Sequence, residues 1–355
     1  MPQFSVKDLK ARLSKFPKKN FLQLPTPLQK LEGLSADWKG PGLYIKRDDL
    51  SGQAFGGNKS RKLEYIIQDA LDKKAEVLVT WGSLQSNWCL QAAAAAKRFG
   101  LEAVLTLFKT YDLPEEPDGN LLLDFILGAD VRIRQAQKGK VINISEVQVY
   151  LDKVSAEFRD KGRKSYVVSV GGSQVFGSMD KPLGAVSYVS ALVELWEQAE
   201  AQGFRIDGIV HATGSGGTQA GLTLGAKALD PRVRVVGISV SDEKESFAAS
   251  VLEIGRQTEK ALDLPLGLER KDIIVLDDYV QDGYGAITKD VSRTIKTVFQ
   301  REGVVLDPVY TAKAMIGLED LVKKGYFCKG ENIVFFHTGG TPALFPFGRA
   351  LVKNL

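Results

Sequence analysis

Cysteine and histidine are nearly absent from this chain of 355 residues. There are two of each: Cys89 and Cys328, His211 and His337. Neither cysteine belongs to a C-x-x-C pair, so no disulfide framework and no cysteine-based zinc site is indicated. Both histidines end short apolar runs, DGIVHATG and NIVFFHTGG. They read as strand-end residues, and a histidine metal centre or a Ser-His-Asp triad lacks its usual parts. Long apolar runs are missing too. No stretch of 18 apolar residues occurs, and the opening MPQFSVKDLKARLSKFPKKN has no apolar leader segment. The expectation is a soluble, cytoplasmic protein with no membrane partner. An excess of one charge is also lacking. Lys and Arg number 47 against 43 Asp and Glu, a net of +4, with both signs spread along the chain. Nothing here calls for a nucleic-acid partner.

What remains is ordinary globular composition, 44% hydrophobic and 25% charged. The length suits two domains or one large α/β unit, with ample core. Short β-branched runs at 42–47, 76–82, 102–108, 165–170, 208–214, 233–240 and 332–339 read as buried strands. Helical patterns occupy 62–73, 87–99, 184–201, 217–229, 290–301 and 311–324. Strand followed by helix, repeated, predicts an α/β fold with mostly parallel sheet. Ligands of such sheets sit beyond the carboxyl ends of the strands. Glycines gather at those ends: Gly56-Gly57, Gly82, Gly171-Gly172, Gly214 to Gly217 and Gly339-Gly340. They predict one shared ligand site rather than unrelated turns.

The sharpest of these pieces is TGSGGTQAG, from Thr213 to Gly221, with a strand entering and a helix leaving. Successive backbone N–H groups there can wrap a phosphate, and the helix N-terminus adds positive potential. Ser215 and Thr218 add hydroxyls. A Walker A loop is excluded because Leu222, not lysine, follows Gly221. A G-x-G-x-x-G fingerprint fails at Gln219. The loop therefore reads as a monophosphate cup, with a tight β–α turn as the plain alternative.

Lys59 follows Gly56, Gly57 and Asn58, and Ser60 reads as the opening of a helix. Most lysines sit on solvated faces. This one has an approach cleared of side-chain bulk. Lysine forms Schiff bases with carbonyl compounds and is activated by desolvation. A lysine together with a separate monophosphate cup is what a pyridoxal phosphate enzyme requires.

The segment IKRDDLSGQAFGGNKSRKLEY resembles the lysine segment of the tryptophan-synthase-β-like (fold type II) pyridoxal phosphate enzymes. More narrowly, it resembles the branch of 1-aminocyclopropane-1-carboxylate (ACC) deaminase and D-cysteine desulfhydrase. GSLQSN, GGS with LGAVSYV, TGSGGTQAGL, GYG, LDPVYTAKAMIGL and FFHTGGTPALF match in the same order, so the resemblance spans roughly 25–347. It implies a two-domain, three-layer α/β sandwich. The large domain would comprise 1–59 and 177–355, and a small domain, 60–176, would be inserted. It implies a homodimer as well.

By the same resemblance Lys59 would carry the cofactor covalently. Asn87 would hydrogen-bond its phenolic oxygen. Lys62 and the cup Thr213, Gly214, Ser215, Gly216, Gly217 and Thr218 would hold its phosphate. Ser86 would touch the substrate carboxylate or help move a proton at the α-carbon. Tyr284 and Tyr310 match the two active-site tyrosines. A free tyrosine titrates near ~10, so base or nucleophile work needs a lowered value, which Lys59 and the cofactor's positive charge would supply. Structural packing is the plain alternative for both tyrosines.

After the second tyrosine, ACC deaminases carry a glutamate at the pyridine nitrogen, whereas this chain has Thr311. Thr338 resembles the neutral partner of desulfhydrase-like members. A weaker electron sink suits β-elimination better than ring opening. D-cysteine desulfhydrase-like elimination, giving pyruvate, sulfide and ammonia from a small amino acid, is therefore the first expectation. ACC deamination to 2-oxobutanoate is the second. A noncatalytic pyridoxal phosphate carrier and a phosphate-binding protein without that cofactor are the rivals from other classes. One departure touches the substrate. The family continues S-N-x-x-R-Q, but here Asn87 is followed by Trp88, Cys89, Leu90 and Gln91. If this helix lines the pocket, the wall is bulkier and less charged, and other β-substituted amino acids stay open. Cys89 reads as a small buried helix residue.

Overall fold

The computed structural model describes residues 3–109, 117–136 and 144–355. Its strands, in chain order, are β1 (Leu28–Lys30), β2 (Gly42–Arg47), β3 (Val77–Ser83), β4 (Glu102–Lys109), β5 (Asp130–Gln135), β6 (Ser165–Val167), β7 (Gly208–Thr213), β8 (Arg234–Ser239), β9 (Ile274–Leu276) and β10 (Asn332–His337). They form two sheets. One runs β1-β2-β10-β7-β8-β9 and the other β5-β4-β3-β6. All pairings are parallel except that of β1 with β2.

Side-chain alternation explains why both sheets are covered on two faces. In β7, Val210 and Ala212 join a core with Leu43 and Ile45 of β2, under helices Lys289–Glu302 and Thr311–Lys323. Ile209 points the other way, onto Leu192 and Leu222 of helices Leu183–Ala201 and Gly217–Leu229. In the smaller sheet, Leu78 and Leu105 pack on helices Asn58–Asp72 and Asn87–Arg98. Val77, Val79 and Val104 face helix Ile144–Asp160. Each sheet is thus the middle of three layers.

All seven predicted strands are present. The three that sequence patterning missed, β1, β5 and β9, are edge strands. Two have three residues, and β5 (DVRIRQ) is largely exposed. Edge strands bury less and carry a weaker apolar signature. Helices Ile144–Asp160 and Lys244–Ala261 were also not predicted. Both histidines lie in strands and are buried; His337 ends β10 as expected, whereas His211 sits two residues before the end of β7. Among the described residues no helix is long and apolar enough to cross a membrane.

Candidate active site

The carboxyl ends of β3, β7 and β10 converge on one cavity. β3 delivers Ser83 and, through a short loop, Ser86 and Asn87. β7 delivers Thr213 and the glycine cup. β10 is followed by Thr338 and Gly339. Lys59 reaches the cavity from the first turn of helix Asn58–Asp72.

That helix starts earlier than the sequence suggested. It begins at Asn58 rather than Ser60, because Gly57 occupies the cap with φ +127. The Asn58 N–H donates to the Thr338 carbonyl at 3.0 Å, and the Gly57 N–H donates to Asp48 O at 2.7 Å. The glycines are required by approach as well as by angle. A Cβ on Gly57 would lie 2.9 Å from Thr338 O, and one on Gly339 would lie 2.6 Å from the Gly57 Cα. The lysine loop and the loop after β10 therefore touch backbone to backbone. Gln91 closes the other side. Its side chain accepts from the Ser60 hydroxyl at 2.7 Å and donates to Gly56 O at 2.9 Å, bracketing Lys59.

Among the described residues Lys59 forms no hydrogen bond or ion pair through its ammonium. Burial alone lowers its pKa from 10.5 to about 8. Lys62, one turn on, is fully buried. Its ammonium donates to Gly171 O and Ser173 Oγ, each at 3.0 Å, and both are neutral. Burial, with repulsion from Lys59, holds it well below the usual lysine range. Ser173 Oγ in turn lies 2.9 Å from Ser215 Oγ in the cup. Lys62 thus stands behind the cup and reaches it through Ser173, instead of lining the cavity itself. Gly217 also stands behind the lining, where a Cβ would meet Ser173 Oγ at 2.7 Å. Thr213, Gly214, Ser215, Gly216 and Thr218 line the cavity directly. Thr218 Oγ1 receives a hydrogen bond from Asn58 Nδ2 at 3.1 Å.

On the opposite wall Ser86 caps helix Asn87–Arg98, its Oγ accepting the Cys89 N–H at 3.2 Å. Asn120 donates from Nδ2 to Asn87 Oδ1 at 2.7 Å, which commits the Asn87 oxygen and leaves its amide N–H groups for other partners. Trp88 lines the cavity, but its indole N–H donates to Thr80 Oγ1 at 2.7 Å, so its ring forms an apolar wall. Leu90 is buried in the core behind that wall. Cys89 is fully buried, and burial pushes its thiol well above the ordinary value, which fits a packing residue.

Tyr284 and Tyr310 both line the cavity, with their hydroxyls 2.7 Å apart. The expected lowering of the tyrosine pKa is not met in the protein alone. Burial pushes the Tyr284 hydroxyl above its usual value, against hydrogen bonds from Ser83 and Tyr310 that pull it down. Thr311 and Thr338 differ in where they point. Thr338 lines the cavity. Thr311 is buried, and its hydroxyl is bound to the Asp307 carboxylate at 2.7 Å.

Asn58, Ser83, Gln91, Asn120 and Ser173 belong to this arrangement, although the sequence alone assigns none of them a role. Serine at the end of an apolar run was a signal for Ser83. Asn120 is brought in by tertiary packing and carried none.

The site can hold an anion at the cup, balance it with two buried ammonium groups, and present one of those amines to a carbonyl carbon. A fold with ligands at parallel strand ends and this pairing of amine and cup defines a cofactor-dependent enzyme of carbonyl chemistry. The model of the family of pyridoxal-phosphate dependent enzymes matches residues 20–339, and the chain belongs to that family. It is 41% identical, over 97% of its length and 98% of the relative's, to a Pyrococcus furiosus protein provisionally named 1-aminocyclopropane-1-carboxylate deaminase. It is 38% identical, over 96% of its length and 98% of the relative's, to D-cysteine desulfhydrase of Serratia proteamaculans. The crystal structure of an ACC deaminase homologue superimposes with a TM-score of 0.87 at 38% identity, covering 98% of this chain and 99% of that one. The processed form of threonine deaminase isoform 2 from Solanum lycopersicum shares the fold, with a TM-score of 0.65 at 17% identity and coverage of 100% and 95%. The residues present fit pyridoxal phosphate: two buried lysines that meet no carboxylate among the described residues, and a cup in which Gly216 and Gly217 leave little room for a Cβ.

Proposed function

We propose that this enzyme is a β-eliminating lyase of a small amino acid, with D-cysteine the first substrate and pyruvate, sulfide and ammonia the products. The observation that carries the reading is the position of Thr338. A hydroxyl, not a carboxylate, borders the cavity there, while Thr311 is held by Asp307. Bound pyridoxal phosphate supplies an electron sink for charge developing at the substrate α-carbon. With Thr338 rather than a carboxylate beside its ring, that sink would be weaker, which suits departure of a good leaving group. In this reading Lys59 would hold the cofactor, the cup would hold its phosphate with Lys62 behind it through Ser173, and the Asn87 amide would be free to donate to the cofactor's phenolic oxygen. Ser86 orients the substrate carboxylate at the N-terminus of helix Asn87–Arg98. Tyr284 and Tyr310 handle protons beside the leaving group. Trp88 limits the substrate to a short side chain.

ACC deamination is the second reading. Ser86, Tyr284 and Tyr310 line one cavity, as that chemistry also needs, and relatives bear that name. The division into 1–59 with 177–355 and 60–176 is supported by the separation of the two sheets. A homodimer and a cytoplasmic location belong to the same proposal.

The test is product identity. Purified protein loaded with pyridoxal phosphate is incubated with D-cysteine, L-cysteine and ACC, beside a Lys59→Ala control. Pyruvate with sulfide from D-cysteine supports the lyase. 2-Oxobutanoate from ACC, at a rate matching or exceeding that of elimination, overturns it.

A further inference from the structure

Ser83 is the last residue of β3, and it borders the cavity. Its Oγ lies 3.3 Å from Tyr284 Oη, and Tyr284 Oη lies 2.7 Å from Tyr310 Oη. Three hydroxyls from three distant parts of the chain thus stand in a row at one wall. Two of the row's hydrogen bonds meet on the middle oxygen. The rings of Tyr284 and Tyr310 pack edge to face, centroids 6.0 Å apart, which fixes the middle oxygen from the ring side.

We propose that Ser83 is a positioning residue that makes Tyr284 the proton donor to the departing β-substituent. This rests on the elimination reading above. The Tyr284 O–H bond breaks as the substituent leaves, its proton goes to the leaving atom, and the oxygen keeps the electron pair. Ser83 and Tyr310 then donate to that phenolate from two sides, and solvent returns the proton after the product leaves. Hydrogen bonds to a charged acceptor are the strong ones, so Ser83 contributes chiefly in the ionised state.

The other groups facing Tyr284 act in known directions. Asp307, from the turn before Thr311, and Cys89, from helix Asn87–Arg98, both disfavour the phenolate, as does burial. Lys313 is held by the carbonyls of Val280 and Gly283, beside Tyr284. Ser83 and Tyr310 both oppose burial.

The experiment is a titration of the holoenzyme labelled with tyrosine carrying 13C at Cζ, with the Tyr284 signal assigned by its loss in Tyr284→Phe. The alkaline limb of kcat against pH is measured in parallel. Ser83→Ala should raise the Tyr284 midpoint, and the alkaline limb with it, by about one pH unit. Ser83→Thr should restore both. Tyr310→Phe, which removes the second donor, should move the midpoint in the same direction and serves if the alanine variant does not fold. A midpoint unmoved by loss of Ser83 or Tyr310 overturns the proposal, as does a Tyr284 that keeps its proton to the alkaline limit of folding. The titration does not depend on the substrate. A shifted midpoint without turnover of D-cysteine or any other β-substituted amino acid tried keeps the hydroxyl row and rejects the elimination reading.

Discussion

Helix Asn58–Asp72 carries buried cations on two sides, and the two sides are treated differently. Arg61 is fully met. Its guanidinium binds both oxygens of Asp48 at 2.8 to 3.0 Å, as well as Glu194 and the Thr26 hydroxyl. Asp48 also accepts from Tyr188, and Glu194 from Lys46. Every charge in that cluster has an opposite charge inside the protein. Lys59 and Lys62 have none among the described residues. The paired cluster ties the helix to 3-10 turn Asp48–Leu50 and helix Leu183–Ala201. The unpaired lysines are left in want of an anion that the described residues do not supply. Burying a charge without a partner is costly, so the contrast separates charge that serves the fold from charge kept for a ligand.

Lys59→Ala is the largest test of that contrast. Turnover should fall on the order of 10³-fold or more, because the covalent attachment is lost. The thermal midpoint of the cofactor-free protein should not fall, since a desolvated amine is removed. A drop in that midpoint, read by circular dichroism, would place Lys59 with the structural charges. Arg61→Ala should do the opposite. It strands Asp48 and leaves Glu194 with Lys46 alone, and urea unfolding should show a loss of about 3–5 kcal/mol. Lys62→Met is intermediate. Cofactor affinity, measured by fluorescence titration of the cofactor-free protein, should weaken roughly 10- to 100-fold, with folding stability kept or raised.

The smallest effects are the pH slopes, and they have opposite origins. An unfolded lysine holds its proton to 10.5, but folded Lys59 sheds it near 8. Between those values the unfolded state binds more protons, so the cofactor-free protein should gain stability as pH rises through that window. Lys59→Ala should lack that gain. Glu194 behaves as a paired acid. Burial pushes its carboxyl up, but Arg61, then Lys46, outweigh burial and hold it at about 2 against 4.5. Its contribution is present above 4.5 and should be lost as pH falls from 4.5 toward 2. Urea midpoints across both windows test the pair of slopes.

Much of this was legible in the sequence because it rests on local rules. Central strands such as VVGIS are continuous apolar runs, and the cup follows one of them as a glycine string. Lys59 was legible from its glycines. What stayed hidden is what only packing assembles. The three-residue edge strands have too few positions to show a period. Arg61 has no local mark of its burial, because Asp48 and Glu194, which close around it, lie 13 residues before and 133 residues after it. Thr311 and Thr338 look equivalent in sequence, and only the turn at Asp307 separates them. Ser83 gains its place from a tyrosine 201 residues away.

The backbone contact between Gly57 and Gly339 has a consequence for how such an enzyme diversifies. Two loops that meet without side chains cannot be retuned one at a time, because any added Cβ strikes the other loop. Lys59 and Thr338 therefore form an inherited unit whose spacing mutation cannot adjust in small steps. On the wall that carries Ser83 and Trp88, both residues present side chains to the cavity, and changing one leaves that backbone contact in place. Substrate preference can therefore be altered on that wall without moving Lys59 against Thr338.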